Sequence, residues 1–428
     1  MSYFLAAIIS TSKFLCGGGR SCGRRRVRET EKMKLTEREQ AVLNGAEGAG
    51  AALAMEILAG IGEVMEADVM VPVSRAHVSA SAQEADLWFA KKMLESGART
   101  CICATVNPSF DIQYFKEKDF ISDADAELAA KCAAAYEKMG FVMNLTCTPY
   151  FDGNLPRLGE NTAFSESSAT AFVNSVVGAR SNPESAQSAL CSAIVGLTPR
   201  YGLLLDENRK AGVVVEVGDD IADEFDFSAL GWAAAKKIGR DVPLFRGNFR
   251  ATTEGLLNLG AELNTAGRVP LFHVEGATPE AAGALDGVRA PRRAEVTRAE
   301  LDAVKENFAA SYSGADGVLL GCPHYSLEQI YRVHRRLAGR KVNIPVWILT
   351  SSSVVSMTAR LPLGRDLAEA GVSLVGDTCV DQPCWHKLRG MKLLTDSPKC
   401  FYYTSRRGLR FDVMSAERCI DAALEPRR

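Results

Sequence analysis

At 428 residues, with 47% hydrophobic and 24% charged side chains, the chain has material for about two or three ordinary globular domains. A formal net charge of −2 offers no basic surface for nucleic acid or an anionic membrane, and no apolar run is long enough to span a bilayer. Twelve scattered cysteines in a chain of this length exclude a small disulfide scaffold and point to a reducing, cytoplasmic compartment.

Residues 1–32 differ from the rest. "MSYFLAAIIS" is apolar, "GGGRSCGRRRVR" is rich in glycine and arginine, and no acid precedes Glu29. This is expected to be a disordered or spurious leader, with an organellar transit peptide as the alternative. The folded region is then 33–428. Thr36-x-x-Glu39 is a capping box opening an alanine-rich helix that should reach about Met65. The pattern continues with a strand at 69–73, a helix at 83–95, a strand at 99–104, a helix at 123–139 and a strand at 141–146. Helices follow at 165–177 and 184–194, a strand at 213–217, helices at 228–238 and 252–263, and a strand at 269–274. After a helix at 298–310 come a strand at 317–320, a helix at 327–337, and strands at 345–349 and 372–375. Strands alternating with helices predict an α/β fold of stacked layers with mostly parallel sheets, in two to three lobes. The alanine-, glycine- and proline-rich stretch 276–293 is the candidate inner linker.

In parallel α/β sheets, ligands gather beyond the carboxyl ends of the strands. Cys322 follows the strand at 317–320, and Ser326-x-x-Gln329 caps the next helix. Cys147 follows "FVMNL" and Cys379 follows "VSLV", with Cys384 a near substitute for Cys379. Each alone reads more readily as an inert thiol at a turn, and no C-x-x-C pair is present. Three thiolates from distant segments suit an iron–sulfur cluster with one iron left open as a Lewis acid. Zinc held by cysteines and His324 is the rival. The other cysteines are assigned to packing, including Cys101 and Cys103 on one face of a strand and Cys132, Cys191 and Cys419 in helices.

The blocks "TCTPYFDGNLPRLGE" (146–160), "FSESSATAFVNSVVGARSN" (164–182), "GLTPRYGLLLDENR" (196–209), "GVLLGCPHYSLEQI" (317–330) and "GDTC" (376–379) occur in the order found in the aconitase X family, and the chain resembles that family's large, catalytic subunit from about residue 34 to the end. The resemblance implies an aconitase-like fold and a hydro-lyase that dehydrates a small hydroxy acid. It implies an iron–sulfur cluster, [4Fe-4S] or [2Fe-2S], on Cys147, Cys322 and Cys379. It also implies a separate small swivelling-domain subunit, which carries the catalytic base. The family's substrate classes are cis-3-hydroxy-L-proline, favoured here, and phosphorylated mevalonate. A non-catalytic cluster-binding subunit is a further alternative. The run "TDSPKC" and the segments "SRAHVSAS" and "CATVN" depart from the expected pattern, which bears on substrate identity.

Substrate-binding candidates follow from residue type and position. Ser165, Glu166 and Ser167 open a helix whose N–H groups suit a carboxylate. Asn174 and Arg180 follow on, the arginine as a bidentate clamp. His77 precedes a helix, His324 lies two residues from Cys322, and Lys399 is an isolated charge in "KCFYY".

Overall fold

Residues 33–426 are described in a computed structural model. Three parallel sheets carry the architecture. The first has the order 103–106, 75–78, 162–164. Its residues are almost all buried, as expected of parallel strands covered on both faces. Helices Ala49–Val64, Glu84–Glu95, Asp123–Lys138 and Ala186–Val195 supply Met55 and Leu58, Met93, Tyr136 and Leu190 respectively to the shared core. Each such fully buried side chain contributes about 1.5–3 kcal/mol relative to exposure. The second sheet has the order 273–274, 243–246, 213–217, 292–296. The third has five strands in the order 372–376, 346–350, 317–320, 392–395, 410–413, all parallel.

Strand order sets the position of the site. In the third sheet the chain runs outward one way from 317–320 and then restarts on the other side at 392–395. The crevice between those two carboxyl ends is a topological switch point. The first sheet has its own switch point between 75–78 and 162–164. Residues just past these four strands are His77 (at the end of 75–78), Ser165 and Glu166, Cys322, and Ser397 to Lys399.

Several expected elements differ. The long first helix is two, Glu37–Leu43 and Ala49–Val64, because Gly45 and Gly48 between them take positive φ of 95° and 94°. The expected strand at 141–146 does not form. Only Val142 bridges Thr105, and Leu145 turns left-handed at φ 41°. The stretch 276–293 does not join lobes. It links strands 273–274 and 292–296 of one sheet, with Ala281 and Ala284 buried and Glu280 paired to the buried Arg209. The leader 1–32 lies outside the described residues. Among the described residues no helix is long and apolar enough to cross a membrane.

Candidate active site

Cys322 is placed by Gly321. At φ 98° this glycine passes so close to the neighbouring strand that a Cβ would lie 2.2 Å from the Leu349 carbonyl oxygen. Cys379 follows strand 372–376 through Asp377, left-handed at φ 56°, whose carboxylate accepts the Ser352 N–H at 2.9 Å. The Cys379 N–H donates to the Ser109 carbonyl at 3.0 Å, which ties this loop to the segment after strand 103–106. Cys147 is delivered by the irregular segment that replaces the expected strand.

His324 joins the three cysteine loops. Its backbone N–H donates to Cys147 Sγ at 3.2 Å. Its ring Nε2 lies 2.9 Å from the Thr378 carbonyl and its Nδ1 lies 3.1 Å from Thr146 Oγ1. A carbonyl only accepts, so Nε2 carries the hydrogen and the Thr146 hydroxyl donates to Nδ1. Burial lowers the His324 pKa to about 4, so the ring is a neutral strut. Both nitrogens are used. In this arrangement the ring bridges the cysteine loops.

The thiols are partly exposed and share one electrostatic neighbourhood. Burial, then the Glu166 carboxylate, push Cys147 up to about 12, with Lys399 opposing. Burial pushes Cys379 up to about 11 and Cys322 well above its ordinary range. Cys322 feels both other thiols, and Cys147 feels Cys379. Backbone N–H groups point at two sulfurs, His324 at Cys147 and Asp381 at Cys379 (3.4 Å). Among the described residues, no three His, Cys, Asp or Glu close on a single-ion centre. Neighbouring thiols that need positive charge to ionise, with N–H donors on sulfur, fit an iron–sulfur cluster. Cys384, the alternative to Cys379, is buried in the core beside Trp385. Cys132, Cys191 and Cys419 are buried as expected, whereas Cys101 and Cys103 are exposed.

Beside the thiols lies a buried ion pair. Lys399 Nζ donates to Glu166 Oε1 at 2.6 Å, with side-chain exposures of 7% and 8%. Glu166 caps helix Ser167–Phe172, its Oε2 accepting the Ala169 N–H at 2.6 Å and the Ser168 hydroxyl at 2.7 Å. The helix end expected to take a substrate carboxylate is therefore occupied by the chain's own. Burial alone would raise the Glu166 pKa. The Lys399 charge and these hydrogen bonds outweigh it and hold the group ionised, while Glu166 keeps Lys399 charged against the opposing effect of burial.

The remaining candidates divide. His77 is fully buried at the first switch point, its Nε2 without a hydrogen-bond partner. Burial lowers its pKa to about 4, against the pull of Glu166 and Asn107. Ser165 clasps the strand end, accepting from Ser79 N (2.6 Å) and donating to the His77 carbonyl (3.1 Å). Ser167 donates to Glu166 Oε1 at 3.3 Å. Asn174 and Arg180, expected to meet a substrate carboxylate, are engaged within the chain. Asn174 bonds the Ser181 and Pro270 backbone and Arg209. Arg180 pairs with Asp206 and the Leu204 carbonyl. A continuous helix was expected at 165–177. The last part is instead a π turn, Val173–Val177, which turns Asn174 to these partners.

Sequence reasoning missed Glu262 and Asp396. Close approach at Gly231, where a Cβ would meet the Leu259 carbonyl at 2.8 Å, brings helix Thr253–Gly267 against Glu224–Ile238 and sets Glu262 in the interior. Glu262 Oε1 accepts the Lys399 N–H at 3.0 Å, and Oε2 has no partner. Burial raises Glu262 to about 8 and Asp396 to about 7. Both line a small void beside Cys322. A lone acid in the apolar run "GLLNLGAELN" was the available signal.

Comparison with known proteins gives the family. Residues 32–207, 211–306 and 315–425 match the aconitase X first, second and third domains. The chain is 35% identical over 398 residues to the phosphomevalonate dehydratase large subunit of Thermococcus kodakarensis, covering 91% of this chain and all of that one. It is 34% identical over 406 residues to the cis-3-hydroxy-L-proline dehydratase of Pseudomonas aeruginosa, covering 90% of this chain and 69% of that one. The crystal structure of Thermococcus kodakaraensis aconitase X in its holo-form superposes with a TM-score of 0.84 at 35% identity, covering 91% of this chain and 100% of that chain. The chain therefore belongs to the aconitase X family.

Proposed function

We propose that the chain is the large subunit of an iron–sulfur hydro-lyase that dehydrates a small hydroxy acid, most directly cis-3-hydroxy-L-proline. The observation that carries this reading is the meeting of Cys147, Cys322 and Cys379 through His324, next to the Glu166–Lys399 pair. The three thiols would hold the cluster. A bound cluster supplies an open iron position, a Lewis acid for the departing hydroxyl. The fixed dipoles and the paired charges of Glu166 and Lys399 would then orient the substrate.

The base is expected on a separate small subunit. The candidates in this chain are already committed. Ser165 donates to a carbonyl, Ser167 donates to Glu166, Ser397 caps helix Pro398–Ser405, and Lys399 is held as a cation. The full-length match to a large subunit supports that partner. Lys399 is the cation acting on all three thiols, and Glu166 neutralises it. That favours a zwitterionic amino acid over a phosphate ester. The second reading, phosphomevalonate, is favoured by the end-to-end match to a subunit of that name. A reducing cytoplasmic setting suits ten free cysteines among the described residues. The test is anaerobic reconstitution with iron and sulfide, then assay of both substrates with and without the small subunit. Turnover of cis-3-hydroxy-L-proline that requires the partner supports the proposal. Full turnover by the large chain alone puts the base in the wrong polypeptide.

A further inference from the structure

The switch-point crevice of the third sheet is not packed solid. Ser228, Asn258, Glu262, Cys322, Asp396 and Ser397 line a void of about 10 Å³ there. Cys322 comes from the turn after strand 317–320, and Asp396 and Ser397 come from the turn after strand 392–395. Asn258 and Glu262 stand one turn apart on the same face of helix Thr253–Gly267. Such a volume has room for about one water.

The groups around it call for one. Glu262 is 1% exposed. Its Oε1 accepts the Lys399 N–H at 3.0 Å, while its Oε2 has no partner among the described residues. Asp396 Oδ2 accepts the Tyr325 hydroxyl, while its Oδ1 has no partner in another residue. A buried oxygen left unmet is costly, and water is its usual remedy. Water both donates and accepts, so it meets a carboxyl group in either protonation form. A metal ion suits the place less well, because no three His, Cys, Asp or Glu among the described residues close on one point.

The void also leads outward. Asn258, Tyr325 and Asp396 line a second cavity, of about 270 Å³, against helices Leu327–Leu337 and Ala416–Leu424. Its rim carries Glu224, Arg250, Arg332 and Glu417, and Arg250 and Glu417 are exposed to solvent. A polar route thus runs from solvent through the outer cavity, past Asn258 and Asp396, to the void beside Cys322.

We infer that Glu262 and Asp396 hold a water beside Cys322, and that this water is the inner end of a solvent passage with Asn258 at its neck. The passage gives water a way to and from the Cys322 side that does not use the mouth a partner subunit would cover. Its value to dehydration, which releases one water per turnover, rests on the proposed function. The water site and the passage do not. No bond is made or broken along it.

The test uses the complete enzyme, chain plus small partner, and two measurements that need no turnover. A crystal structure should show one water within hydrogen-bond distance of both Glu262 Oε2 and Asp396 Oδ1. Hydrogen–deuterium exchange should then report the passage at two amides whose acceptors line the void, Lys399 on Glu262 Oε1 and Cys400 on Ser397 Oγ. Asn258→Leu makes the neck larger in side chain and apolar. It should slow exchange at these amides about tenfold, because exchange then waits for local opening, and leave helix Ala49–Val64 unchanged. A metal ion or an empty void at that position overturns the inference. So does equal exchange at Lys399 and Cys400 in wild type and variant, or a slowing shared by helix Ala49–Val64. Absence of dehydration with the water and the exchange difference in place counts against the proposed function and leaves the passage standing.

Discussion

Replacing Lys399 by methionine removes one partner of a pair with 7% and 8% side-chain exposure and leaves Glu166 buried. Its Oε2 would keep Ala169 N–H and Ser168, but Oε1 would retain only the 3.3 Å contact from Ser167. Breaking a buried pair from one side costs about 3–5 kcal/mol, because the remaining charge is uncompensated. The cost should depend on pH with a definite sign. In the wild type Lys399 helps to hold the Glu166 pKa below its ordinary value, so that group's stabilising contribution is present above the unfolded pKa and is lost as pH falls through the folded value. In Lys399→Met burial dominates and the folded pKa rises above the unfolded one. The variant is then least impaired in acid and loses stability as pH climbs through the new value. Urea denaturation at pH 5 and pH 7.5 should show the deficit growing with pH. Adding Glu166→Gln to Lys399→Met should recover about half of it, since no bare charge then remains. A loss under about 1 kcal/mol at pH 7.5, or no recovery in the double variant, would refute this account of the pair.

Glu262 and Asp396, raised to about 8 and about 7, favour the fold while protonated, so part of the wild-type stability should fade as pH rises from about 5 to 8. Glu262→Gln should flatten that decline in a pH series of thermal melts, and an unchanged slope would count against the raised value. Gly321→Ala should cost about 2–3 kcal/mol through the forced left-handed φ and the Leu349 clash, and should lower iron retention with it. Denaturation and iron analysis of one preparation check both. Cys132→Ser, in a helix packed on the first sheet, should leave iron content and turnover close to wild type. Loss of iron there would mean the thiols were sorted wrongly.

The fold was legible where local signals were strong. The strands at 213–217 and 317–320 and the helix at 327–337 appear with the bounds their periodicity implied, and Ser326-x-x-Gln329 forms its capping box. Short strands such as Pro243–Arg246 and Arg410–Val413 were not legible, because proline, arginine and aspartate interrupt the apolar run that marks 317–320. At the site, position relative to strand ends singled out Cys322 and Cys379. Cys147 was reached through a strand that does not exist, yet the segment still ends at the site because Thr146 bonds His324. Glu166 and Lys399 were each singled out, but their pairing was not, since residues 233 positions apart meet only when the two switch points are set together. Asn174 and Arg180 had suitable chemistry, and only tertiary structure shows their polar atoms committed to the backbone and Asp206.

The central claim is that Cys147, Cys322 and Cys379 together hold an iron–sulfur cluster in this chain. The most direct measurement is iron, zinc and acid-labile sulfide content of the anaerobically purified protein, wild type against Cys322→Ser. The account predicts iron and sulfide in equal amounts in the wild type, and loss of both, with the accompanying brown colour, in the variant. Zinc in place of iron, or a full complement of iron and sulfide in Cys322→Ser, would contradict it.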